Sequence, residues 1–92
     1  MNKVRAEVRI KGRVQGVNFR NFVQQAARKT DVAGWVKNLP AGDVGAVFEG
    51  SREAVEDLLR SCRRGPPAAA VEDIDIAWRD AQNEFRTFEI RY

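Results

Sequence analysis

The stretch Gly12-Arg13-Val14-Gln15-Gly16-Val17-Asn18-Phe19-Arg20 joins an alternating pattern to a helical one. Two glycines four apart let the backbone take conformations that other residues avoid, so that consecutive N–H groups turn inward and form a concave nest for an anion. The helix that begins at Phe19 adds the positive end of its dipole. Arg20, in the opening turn, brings a planar fork of donors suited to an oxygen-rich anion. The chemistry on offer is the holding of a phosphoryl group. It is not that of a Walker A loop, because no Lys-Ser or Lys-Thr follows Gly16, nor that of a Gly-x-Gly-x-x-Gly dinucleotide site. Spacing alone leaves one alternative standing, a tight strand-to-helix connection beside a solvated arginine.

The missing residue types narrow the chemistry further. Histidine is absent, which removes Ser-His and Cys-His dyads, the commonest metal ligand and the usual proton shuttle at neutral pH. The single cysteine, Cys62, allows no internal disulfide, zinc cluster or Cys-x-x-Cys pair, and its place on the apolar stripe of a helix marks it as core. Asp73 and Asp75 share one side of a strand, but charges on the wet face of a strand are far commoner than a two-carboxylate metal site. No metal and no cofactor are expected.

The net charge of +3 conceals an asymmetry. Residues 1–37 hold nine Lys or Arg against two acids, net +7, and residues 38–92 hold seven against eleven, net −4. The basic part contains the loop. Such a field draws in small polyanions, and nucleic acid is the rival ligand for a basic face. A chain of 92 residues, 43% hydrophobic and 32% charged, suits one soluble domain spanning 1–92. No apolar run approaches the roughly 18 residues of a membrane span, and Met1-Asn2-Lys3 leads into a strand rather than a signal sequence, so a cytoplasmic protein is expected.

Positioning the loop requires the elements around it. Val4, Ala6, Val8 and Ile10 alternate with Arg5, Glu7, Arg9 and Lys11, a half-buried strand. Phe19, Phe22, Val23, Ala26, Ala27 and Thr30 then fall on one helical face, with Arg20 beside it, and Asp31 ends the helix. Residues 32–38 read as a second strand with Trp35 in the core, turning at Leu39-Pro40-Ala41-Gly42-Asp43 into a third over 44–49 that Gly50 ends. Ser51 suits the cap of a second helix whose stripe is Val55, Leu58, Leu59 and Cys62. Gly65-Pro66-Pro67 stops it, and a small-residue linker leads to a strand carrying Ile74, Ile76 and Trp78. A last strand runs from about 85 to 92. The order β-α-β-β-α-β plus a C-terminal strand predicts an α+β, ferredoxin-like sandwich, with two helices on one face of a mainly antiparallel sheet.

Gly12 to Arg20, followed by Gly34-Trp35-Val36-Lys37-Asn38 and Gly42-Asp43-Val44, resembles the acylphosphatase family in residue types and spacing. The likeness continues through Gly65-Pro66-Pro67 to Phe88-Glu89-Ile90-Arg91 and so covers nearly the whole chain. The resemblance implies hydrolysis of acyl phosphates to a carboxylate and inorganic phosphate. It implies that the backbone of Gln15, Gly16, Val17, Asn18 and Phe19 cradles the phosphoryl group, that Arg20 clamps it and that Asn38 positions a water. The expected partner is a small-molecule acyl phosphate, with inorganic phosphate as product and competitive inhibitor, and a monomer is expected, with no nucleic-acid or membrane partner. Asn18 stands where many members of that family carry an aromatic, a departure that concerns the pocket wall.

Taken without the resemblance, Asn38 ahead of Leu39-Pro40 reads as an Asx-type turn former. Two other functions fit the architecture, an RNA-binding module and a catalytically idle regulatory module. RNA-recognition domains carry a Lys/Arg-Gly-Phe/Tyr-Gly/Ala-Phe-Val signature that is absent here, and the first strand offers Arg5, Glu7, Arg9 and Lys11 rather than stacking aromatics. Acyl phosphate hydrolysis by a chain with no histidine and one cysteine is expected to survive exhaustive treatment with EDTA. Loss of activity on chelation, restored by a divalent ion, would overturn that expectation.

Overall fold

The computed structural model describes residues 3–92. Seven elements follow one another: β1 (Lys3–Arg13), α1 (Phe19–Lys29), β2 (Ala33–Asn38), β3 (Val44–Ser51), α2 (Arg52–Arg64), β4 (Ala70–Asp80) and β5 (Phe88–Arg91). The five strands form one sheet in the order β4-β1-β3-β2-β5. Antiparallel pairing joins β1 to β3 and β4, and β2 to β3, while β5 runs parallel to β2. Both helical crossovers therefore skip a strand, the split arrangement predicted above.

Strand alternation decides what the helices cover. Ala6, Val8 and Ile10 of β1 join Val44, Ala46 and Phe48 of β3 in one buried cluster with Phe19, Val23 and Ala27 of α1 and Val55, Leu58, Leu59 and Cys62 of α2. At the start of α2, Ser51 Oγ accepts a hydrogen bond from the Ala54 N–H at 3.1 Å, as its type predicts. The Cys62 thiol is buried, and loss of solvation pushes its pKa up to about 12.

The structure corrects several boundaries. β3 does not end at Gly50, because Gly50 and Ser51 pair with Val4 and Lys3. β4 starts inside the supposed linker at Ala70, since Ala70 and Val71 pair with Arg13 and Gly12 beyond a bulge between Lys11 and Gly12. Gly12 is thus part of the β1–β4 ladder and not of the loop. β5 spans only Phe88–Arg91, because its only neighbour is β2, which offers Gly34 to Lys37. Trp35 is not core: Val36 takes the inner face, so the pleat turns Trp35 outward, half-buried, with the Arg91 guanidinium 5.0 Å from its ring centre.

A glycine docks the edge strand. Gly34 pairs with Phe48 on one side and Phe88 on the other, and the absence of a side chain between them lets the two rings meet at 5.9 Å across β2. Its φ of 144° is closed to most residues, and a Cβ there would run into the Val47 carbonyl. Gly34→Ala is expected to cost about 3 kcal/mol, the sum of backbone strain and a forced shift of β3, and to lower the unfolding midpoint by roughly 10 °C or more. An unchanged thermal midpoint would show that β2 relaxes freely.

Candidate active site

Between β1 and α1 the chain is anchored at both ends by apolar side chains, Val14 at 1% exposure and Phe19 at 2%. Gly16 has φ 73°, and Asn18 has φ 66° and ψ 25°, both left-handed. Such reversals turn successive N–H groups to the same side of the chain. Asparagine commonly caps a helix through its side chain, but Asn18 makes no such bond, and its Oδ1 instead accepts from Asn21 Nδ2 at 2.6 Å. The first intrahelical bond is from the Phe22 N–H to the Asn18 carbonyl, at 3.2 Å. The donors ahead of it have no carbonyl within the helix, and no acidic residue sits in the first turn to offset the dipole.

These donors border a polar cavity of about 240 Å³. One wall is Val14, Gly16 and Asn18 to Asn21, and the other is Asn38, Ile90 and Tyr92. Of the residues singled out in the sequence, Gly16, Asn18, Phe19, Arg20 and Asn38 meet here. Gln15 and Val17 do not line the cavity. The Val17 side chain packs against the core, and the Gln15 carboxamide reaches the β2–β3 turn, donating to the Leu39 and Asp43 carbonyls at 2.8 Å each. A larger cavity of about 450 Å³ at the opposite end of the sheet contains none of the predicted site residues.

Arg20 is half-buried and, among the described residues, pairs with no carboxylate. Its Nη1 donates to the Arg91 carbonyl at 3.4 Å, and its guanidinium carbon lies 4.7 Å from the centre of the Tyr92 ring. Most of its donors and its whole charge remain for an anion. Asn38 ends β2 opposite Val44. The turn after it is closed by Leu39 N–H to Asp43 O at 2.8 Å, by Gly42 N–H to Leu39 O at 3.1 Å and by Gln15, so turn formation does not occupy the Asn38 carboxamide.

Sequence reasoning missed Asn21, Ile90 and Tyr92. Asn21 stands three residues from Asn18, the spacing of helical neighbours, and that signal was available. Ile90 and Tyr92 reach the cavity only because β5 pairs with β2, which no local pattern announces.

The rival sites lose their chemistry to internal partners. Lys11 Nζ lies 3.0 Å from Asp75, whose carboxylate raises the pKa of the lysine, and Asp73 Oδ1 accepts from the Ile74 N–H at 2.9 Å. No group of three or more potential metal ligands occurs among the described residues. On the open face of the sheet Arg5 contacts Glu7, Glu49 and Glu84, and Arg9 contacts Asp43 at 2.7 Å. The cations Arg5, Arg9 and Lys11 of the first strand are thus each matched by an acid.

The chain is similar to known proteins in sequence and in fold. The family profile "Acylphosphatase" matches residues 6–90. An acylphosphatase from Anaeromyxobacter dehalogenans is 46% identical over 91 residues, spanning 99% of this chain and 98% of its own. One from Roseiflexus sp. is 49% identical over 90 residues, spanning 98% and 97%. The crystal structure of acylphosphatase from Bacillus subtilis shares the fold at a TM-score of 0.94 and 36% identity, covering 97% of this chain and 99% of that one. Matches that run the length of both chains, in sequence and in backbone alike, mean that this chain belongs to the acylphosphatase family.

Proposed function

We propose that the chain hydrolyses acyl phosphates with a phosphate cradle formed by the backbone of Gln15, Gly16, Val17, Asn18 and Phe19, with Arg20 as the clamp and Asn38 as the residue that orients water. The activity is that of the family, hydrolysis of an acyl phosphate to a carboxylate and inorganic phosphate. The observation that carries the assignment of roles is the convergence of α1's unbonded N-terminus, an arginine without a carboxylate partner and the Asn38 carboxamide on one polar cavity. The same reading takes inorganic phosphate as product and competitor, and the chain as a monomer in the cytoplasm. No described helix is long and apolar enough to cross a membrane.

The chemistry fits the residues available. A phosphate ester expels a basic alkoxide and normally needs a general acid, whereas an acyl phosphate expels a carboxylate that is stable at neutral pH. What remains is to hold the phosphoryl group, stabilise charge on its equatorial oxygens and set a water in line with the bond that breaks. Backbone N–H groups and Arg20 supply the first two, and the Asn38 carboxamide, which both donates and accepts, supplies the third. The proton of the attacking water passes to a phosphate oxygen of the substrate, so that no histidine is required.

Arg20→Ala is expected to abolish nearly all turnover of benzoyl phosphate and most inhibition by inorganic phosphate while the protein stays folded. Arg20→Lys is expected to be severely impaired, because a point charge does not reproduce a two-donor fork. Near-normal turnover by either folded variant overturns the role of Arg20. Asn38→Ala is expected to lower kcat by roughly a hundred- to a thousand-fold with phosphate inhibition retained, because its contact with water strengthens only as the water attacks. Steady-state kinetics with phosphate as inhibitor separate the two roles. Weak phosphate binding with normal kcat in Asn38→Ala would make the asparagine a pocket wall.

A further inference from the structure

The Gln15 side chain is the polar side chain of the phosphate loop that points away from the cavity, and its amide donors are fully engaged. Both hydrogens of its Nε2 are spent, at 2.8 Å to the Leu39 carbonyl and 2.8 Å to the Asp43 carbonyl. Two acceptor partners fix which end of the carboxamide faces them. Those carbonyls stand at the two ends of the turn that leaves β2, and Leu39 directly follows Asn38.

We propose that Gln15 is a positioning residue, a side-chain strut that sets the Asn38 carboxamide against a phosphate held by the loop that carries Gln15. The proposal rests on the reading of Asn38 as the residue that orients water. One residue then links both halves of the reaction geometry: its main chain lies in the loop that borders the cavity and its side chain fixes the neighbour of the water-orienting group. Apart from the backbone bonds that close the turn, the side-chain restraints on it are few. Arg9 and Asp43 form a partly exposed ion pair, the Leu39 side chain lies beside Gly45, and Pro40 and Ala41 are exposed. In-line attack depends steeply on placement, and a shift of about 1 Å costs on the order of a hundred-fold in rate. Without the strut the turn keeps its backbone closure and Asn38 its pairing with Val44, but the bond that ties Asn38's neighbour to the phosphate loop is gone.

The decisive variant is Gln15→Met, which keeps length and flexibility, lacks the donors and leaves the cradle N–H groups in place. Folding is checked by circular dichroism and by inhibition with inorganic phosphate, which reports the cradle. Turnover of benzoyl phosphate is expected to fall roughly ten- to a hundred-fold while the phosphate inhibition constant stays within about twofold. In an Asn38→Ala background the same substitution is expected to cost no more than about twofold, because a strut has nothing left to position. Gln15→Glu supplies a second readout. Its carboxylate faces two carbonyls and repels them, but the protonated acid regains one donor, so turnover relative to the parent protein is expected to rise as pH falls from about 8 to 5. Normal kcat in Gln15→Met, loss of phosphate inhibition equal to the loss of kcat, or full additivity with Asn38→Ala each overturns the proposal. If Asn38→Ala alone turns over normally, the underlying role of Asn38 has failed instead, and the two results are distinguishable.

Discussion

A helix N-terminus left open to a cavity is the constraint around which this molecule is built. Donors without acceptors are costly when desolvated, and an adjacent guanidinium adds repulsion to the cost of keeping them unpaired. The chain tolerates the arrangement because the loop and helix are fastened from behind, by Val14 and Phe19 in the core. The Asn18 side chain, which could have quenched the site by capping, is turned to Asn21. What the structure leaves unsatisfied is therefore localised, and an anion is the ligand that satisfies it.

The charge on the open face of the sheet is handled in the opposite way. Arg5 meets three carboxylates from β1, β3 and the β4–β5 connection, and Glu49, buried to 5% exposure, also accepts from the Gln82 N–H at 2.8 Å. That cluster closes one end of the open sheet face. Farther along β1, Arg9 pairs with Asp43 of the β2–β3 turn and Lys11 with Asp75 of β4, so the outward cations in the middle of that strand are matched by acids. Arg20 lacks such a partner because its neighbours on the cavity wall are asparagines, an isoleucine and a tyrosine. Its place on that wall, beside an open helix N-terminus, is what makes this arginine among many the candidate ligand for phosphate.

Three segments far apart in the chain meet at the site, and each is delivered by a different strand pairing. β1 ends at the loop, β2 ends at Asn38, and β5 ends beside Arg20. The rings of Phe48 and Phe88 meeting over Gly34 hold the last of these in place. Backbone packing some distance from the cavity thus sets the position of the Arg91 carbonyl that accepts from Arg20.

Period and punctuation in the sequence determined the element order, the inner faces of both helices and the start of α1 at Phe19, because apolar spacing and turn residues are local signals. The motif from Gly12 to Arg20 and the asparagine at position 38 also identified the family and the candidate residues. Only the tertiary structure decided which of them share a cavity. It moved Gly12 into the β1–β4 ladder, turned Trp35 onto the open face and assigned the Gln15 side chain to a turn more than twenty residues away in sequence. It also brought Ile90 and Tyr92 to the site through a parallel strand pairing. Each of these depends on which strand lies beside which and in what register, a long-range choice that leaves no periodic trace in either partner.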